Sequence, residues 1–97
     1  MIRARVDANQ AALVALFRKL GFSVQHLHAV GRGVPDLMLG AHGRNYLVEV
    51  KDGAKKPSDR KLGPAQVAWH AEWRGQAVVI ESEESALAWA ARVGAML

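Results

Sequence analysis

Residues 34–51, VPDLMLGAHGRNYLVEVK, decide how this chain folds. Two apolar segments, Asp36 to Leu39 and Tyr46 to Lys51, flank GAHGRN, a turn-forming stretch centred on His42-Gly43. They read as an antiparallel hairpin. With closure at His42-Gly43, opposed positions sum to 85, so Gly40 faces Asn45, Met38 faces Leu47 and Asp36 faces Glu49. Strand side chains alternate between faces, which puts Asp36, Met38, Leu47, Glu49 and Lys51 on one side. Leu37, Leu39, Tyr46, Val48 and Val50 share the other. Any other odd pairing sum also keeps Asp36 and Glu49 together.

Working outward, Leu13, Leu16, Phe17 and Leu20 follow the i, i+3, i+4, i+7 spacing of an amphipathic helix. The spacing predicts a helix from about Asp7 to Leu20. Gly21 follows its end, and Asp7 with Gln10 can form an N-terminal capping pair. Phe22 to Leu27 reads as a strand and Gly31-Arg32-Gly33-Val34-Pro35 as a loop. Beyond the hairpin, Asp52 to Gly63 is polar, charged and interrupted by Pro57, a long loop. Pro64 suits the first position of a second helix carrying Val67, Trp69, His70 and Trp73. Ala77 to Ile80 is a short buried strand, and Ser82 caps a last helix with Glu83 and Glu84 in its first turn. The order αβββαβα makes an α/β or α+β sandwich around one mixed four-stranded sheet flanked by helices.

The chain of 97 residues is the size of one domain, 1–97. No cysteine is present, which excludes disulfides and thiolate zinc sites. The N-terminal MIRARVDANQ lacks the apolar run of a signal peptide, and no stretch approaches a membrane span of about 20 residues. A cytoplasmic protein without membrane contact is expected. The net charge of +4 favours an anionic partner.

The chemistry gathers on the hairpin. Directly opposed Cβ atoms lie about 4.5–5.5 Å apart, and two carboxylates that close repel each other. A divalent cation removes the conflict: Mg2+ or Mn2+ takes oxygen ligands, commonly one or two carboxylates plus waters and substrate phosphate. Lys51 on the same face can orient or deprotonate an attacking water, or offset charge at a scissile phosphate. Together these groups describe metal-assisted phosphodiester hydrolysis. Glu-x-Lys alone is a common chance pattern; the preceding Pro35-Asp36 with matching parity makes it informative.

Pro35-Asp36 and, after 12 intervening residues, Glu49-Val50-Lys51 resemble the PD-(D/E)xK nuclease signature. GRGVPDLMLG and the later Pro64-Ala65-Gln66 look like the VRR-NUC branch of that superfamily, and archaeal Holliday-junction resolvases are a more distant likeness. The resemblance implies a restriction-endonuclease-like core and a DNA endonuclease selective for branched or junction DNA. It further implies a metal held by Asp36, Glu49 and the Val50 carbonyl, with Lys51 catalytic and Gln66 beside it. Many relatives add a glutamate from the first helix; here Gln10 is nearest that position and Asp7 precedes it.

Lys51, Lys55, Lys56, Arg60 and Lys61 cluster against Asp52 and Asp59, and Arg32 precedes the catalytic strand. These cations can hold a phosphate backbone, in contacts that carry no base sequence. A stripe of Gln66, Trp69, His70 and Trp73 reads first as core and second as a base-stacking platform. His26 and His28 have the spacing of two zinc ligands but no evident third. Trp89 and the alanine-rich last helix are expected to pack the sheet or a partner subunit. One active site per chain makes a two-fold homodimer the simplest way to cut two strands. A non-catalytic DNA-binding module and an accessory subunit of a repair or replication assembly are the alternatives.

Overall fold

The computed structural model describes residues 6–94. The single domain expected over 1–97 and the reading of the N-terminal MIRAR extend beyond these residues. The elements are α1 (Gln10–Lys19), β1 (Ser23–His26), β2 (Leu37–Ala41), β3 (Arg44–Val50), α2 (Pro64–Glu72), β4 (Ala77–Ile80) and α3 (Glu83–Arg92). A short 3-10 turn, Pro57–Asp59, interrupts the stretch expected to be loop. The order αβββαβα and the mixed four-stranded sheet are as expected.

The strands lie in the order β1-β2-β3-β4. β1–β2 and β2–β3 are antiparallel, and β3–β4 is parallel. A parallel neighbour needs a crossover, which the segment carrying α2 supplies. The hairpin pairs Leu37 with Val48, Met38 with Leu47 and Gly40 with Asn45, the expected register. Its two-residue turn has positive φ at His42 (53°) and Gly43 (75°), the mirror-image turn whose twist matches that of the strands.

Alternation then divides the sheet. Leu37, Leu39, Tyr46, Val48, Val50 and Ile80 are buried against α1 and α3. From the helices, Leu13, Val14, Phe17, Ala86, Trp89 and Ala90 meet them. Trp89 packs between Phe17, Phe22 and Tyr46, with ring centroids 5.3–6.0 Å away, so it serves the core of its own chain. Ser82 caps α3, accepting from Ser85 N at 3.1 Å.

Two helix readings change. α1 starts at Gln10, three residues later than expected, and the Asp7–Gln10 capping pair does not form. Asn9 is the N-cap and makes no side-chain cap bond, while the Asp7 main-chain oxygen accepts from Gln10 N at 3.0 Å. Gln10 is instead buried, at 3% exposure. The second correction concerns the aromatic stripe. No residue of α2 is fully buried, and Val67 (52%) and Trp73 (47%) are exposed, so the stripe is not core.

Candidate active site

At its C-terminal end β3 turns from a core strand into a cluster of ionisable groups. β3 donors at Leu47 and Lys51 point toward β4, bonding Gln76 O and Ile80 O, so Val50 N points toward β2. β2 pairing has ended there at Leu37↔Val48. Asp36, one residue before β2, fills the gap: its Oδ2 accepts from Val50 N at 2.8 Å. Its main-chain oxygen accepts from Leu27 N at 2.7 Å, which fixes it from the other side.

Glu49 points away from the core yet is only 2% exposed. Gln66 of α2 covers it, donating from Nε2 to Glu49 Oε2 at 3.0 Å. The same Gln66 accepts at Oε1 from Lys51 Nζ (3.0 Å) and from Gly63 N (2.9 Å). Lys51 Nζ lies 3.8 Å from Glu49 Oε2, so Gln66 is the nearer partner of the lysine. Pro64 at the first helical position and the Gly63 bond set where α2 begins, and with it the reach of Gln66.

Burial, then the neighbouring Asp36 carboxyl, pushes the Glu49 pKa up from 4.5 to about 8; Lys51 opposes the rise. Glu49 Oε1 is buried with no hydrogen-bond partner among the described residues. A lone buried carboxylate oxygen beside a second carboxyl is costly unless protonated or bound to a cation.

The start of α1 lies against this end of β3. Asn9 Nδ2 donates to Lys51 O at 3.1 Å and to Glu81 O at 3.0 Å, joining α1, β3 and the end of β4. Asp7 is near enough that its charge also raises the Glu49 pKa. Asn9 Oδ1 and Gln10 Oε1 are buried acceptors without a partner among the described residues. Among these residues no group of three or more His, Asp or Glu side chains could hold a metal. The carboxylates come as a pair, and amide and main-chain oxygens are the further donors nearby. That set is all oxygen, which suits Mg2+ or Mn2+.

Of the expected site residues, Asp36, Glu49, Lys51, Val50 and Gln66 are brought together. Two of the expected DNA-binding cations are engaged internally: Arg60 pairs with Glu81, and Lys55 lies 3.7 Å from Asp7. Arg32, Lys56 and Lys61 are exposed. Arg32 sits at φ 58° in the loop whose Gly33 presses on the start of α2. His26 and His28 pack edge to face, 5.9 Å between centroids, and join no metal-binding group.

Sequence reading passed over two residues. Asn9 falls inside the helix expected from Asp7, and nothing local marks its contacts with Lys51 and Glu81. His70 shares the stripe with Gln66, Trp69 and Trp73, and that spacing does not mark it as a neighbour of Lys51. Its Nε2 is buried without a partner among the described residues, and burial, then Lys51, lowers its pKa. Comparison of the chain with protein-family models, curated proteins and solved structures found no match.

Proposed function

We propose that this chain is a metal-dependent DNA endonuclease of the PD-(D/E)xK type, close to the VRR-NUC branch, that hydrolyses phosphodiester bonds in branched or junction DNA. One observation carries the proposal: Asp36 and Glu49, with the Lys51–Gln66 hydrogen bond beside them, converge where β3 ends, leaving a buried carboxylate oxygen without a partner among the described residues. The αβββαβα order and the net charge of +4 are compatible with it.

Asp36, Glu49 and the Val50 carbonyl would hold Mg2+ or Mn2+. From the first-helix side, Asp7, which precedes α1, is near enough for its charge to act on Glu49, and the buried Gln10 of the first turn is the other group the resemblance offers. Bound there, the cation would lower the pKa of a water and neutralise charge on the phosphate. Gln66 fixes the Lys51 ammonium through its amide oxygen. Lys51 would orient the attacking water against the phosphorus, and its ammonium would offset charge on the phosphate. Arg32, Lys56 and Lys61, with Lys55 and Arg60 once released from Asp7 and Glu81, would take the DNA backbone. A homodimer would present two such centres to two strands. Action in the cytoplasm of a bacterial or phage-infected cell fits the cysteine-free composition.

The test is a cleavage panel of linear, flapped and four-way DNA with Mg2+, Mn2+ or EDTA. Cutting that needs the metal and disappears in Asp36→Asn and Lys51→Ala is expected. Undiminished metal-dependent cutting by both variants would remove these residues from the mechanism. A non-catalytic DNA-binding module or accessory subunit draws on the lack of a third acidic ligand among the described residues. It predicts junction binding in EDTA and no cleavage with any divalent ion.

A further inference from the structure

On the same sheet face as the carboxylates, two residues further from the active end, Met38 stands opposite Leu47. Both are only half-buried, because α2 does not cover this part of the sheet. What lies there is a cavity of about 500 Å3, bordered by Met38, Leu47, Arg44, Asn45, Gln76 and Trp73. Trp73 dominates it. Its indole stacks on Trp69, with centroids 4.8 Å apart and planes 16° apart. It also closes against Gly75, where a Cβ would meet Trp73 Nε1 at 2.7 Å. One face and one edge of the ring are therefore fixed by the protein, and 47% of the residue remains exposed.

We propose that this groove is a nucleobase subsite, in which an unpaired base of the DNA strand stacks on Trp73 as a third ring beyond Trp69. The inference rests on the nuclease reading for the identity of the strand.

Charge and shape favour a base over a second copy of the chain. Arg44 borders the cavity and Arg74 follows Trp73, a cationic surround suited to a strand's phosphates. The central part of a protein–protein interface is depleted in charge and needs about 800 Å2 of matching surface from each partner. A concave site of this volume is in the range that encloses a small ring system. Its amides, Asn45 and Gln76, can address base edges. Spacing agrees as well. Gln66 and Trp73 are seven residues apart on or at the end of α2, about 10 Å of rise. That is the reach of roughly three stacked nucleotides. A strand whose phosphate rests between Asp36 and Lys51 can run along the face and place a base on Trp73. Fully paired DNA has no base to offer, so the groove would favour flaps, forks and loops.

The test is binding without cleavage, by anisotropy of a labelled oligothymidylate and of a blunt duplex in EDTA. Wild type, Trp73→Ala, Trp73→Phe and Arg44→Ala are compared, with light scattering on each. Trp73→Ala is expected to lose about tenfold in affinity for the single strand while duplex binding holds, and Phe to restore most of the loss. Should the alanine variant unfold, a weaker single-strand loss in Trp73→Phe and Arg44→Ala carries the same prediction. Equal single-strand affinity in all four proteins overturns the subsite. So does a change from dimer to monomer in Trp73→Ala, which would make the face a self-interface. Metal-dependent cutting without any Trp73 effect removes the subsite and leaves the nuclease intact. Trp73-dependent single-strand binding without cutting in any metal does the reverse.

Discussion

Asp36 accepts the main-chain N–H of Val50 at 2.8 Å, so one of the two carboxylates of the proposed centre is also a structural tie at the end of the hairpin. Removing it has two consequences that ordinary alanine substitution would confuse. Asp36→Ala leaves a donor in a part-buried site unpaired, at a cost of about 1–3 kcal/mol. Asp36→Asn keeps a carbonyl oxygen for Val50 N and removes the charge. The alanine variant is expected to unfold at lower urea than wild type and the asparagine variant close to it, while both lose cleavage. Loss of stability in both to the same extent would show that the charge, rather than the acceptor, holds the strand end.

Gln66 reaches three partners at once, Glu49, Lys51 and Gly63 N, and so couples the helix start to both ionisable groups. Gln66→Ala frees the lysine and exposes Glu49 without touching the peptide path of β3. Cleavage is expected to fall about 10- to 100-fold, the usual effect of losing a hydrogen-bond partner of a ligand. The fall should appear mainly in kcat with KM little changed, since the cations proposed to hold the DNA backbone, Arg32, Lys55, Lys56, Arg60 and Lys61, are not among the partners of Gln66. Steady-state kinetics on one flapped substrate separate the two.

A pKa of about 8 at Glu49 makes the metal-free protein pH-sensitive in a definite direction. The folded carboxyl binds its proton more tightly than an unfolded one, whose value is 4.5. The stabilisation is therefore full below about 4.5, and is lost as pH rises through about 8. Across that window metal-free stability should fall by up to about 1.4 kcal/mol per pH unit. Burial raises the value most, Asp36 and Asp7 add to the rise and Lys51 opposes it, so the slope depends on the Glu49 carboxyl in this buried setting. Glu49→Gln should flatten it in urea titrations at pH 5, 6.5 and 8. In wild type, cation binding has to expel the proton, so metal affinity should rise up to tenfold per pH unit below about 8. Calorimetry in two buffers of different ionisation enthalpy measures the released proton.

The hairpin was legible in the sequence because its determinants are local. His42-Gly43 dictates the turn, the turn dictates the register, and alternation then places Asp36 and Glu49 on one face and Val48 and Val50 in the core. The start of α1 was not legible. Asn9 is held by the carbonyls of Lys51 and Glu81, far along the chain, and Gln10 is drawn inward with it. A helical stripe of Trp69, His70 and Trp73 shows which side chains share a face but not whether anything covers that face. Here the sheet beneath is only partly covered, and Trp73 stays exposed. Arg60 and Lys55 read as free cations because Glu81 and Asp7, which pair with them, belong to other segments.

Gly33 links the loop before β2 to the helix that carries Gln66, and it can be tested against Gly31 in the same loop. Both have positive φ, 80° and 73°. An alanine at either therefore costs about 1–3 kcal/mol in backbone strain. The surroundings differ. A Cβ on Gly33 would lie 2.2 Å from the carbonyl oxygen of Ala65, whereas one on Gly31 meets nothing within 4 Å. Since Ala65 is main chain in the first turn of α2, relief requires the helix to shift, and Gln66 moves with it. Gly33→Ala should thus lose more stability than Gly31→Ala in thermal melts, and should also lose cleavage at temperatures where it remains folded. Gly31→Ala should keep nearly full activity when folded. Equal specific activity of the two folded variants would mean that the position of α2 does not govern the Lys51–Gln66–Glu49 contacts.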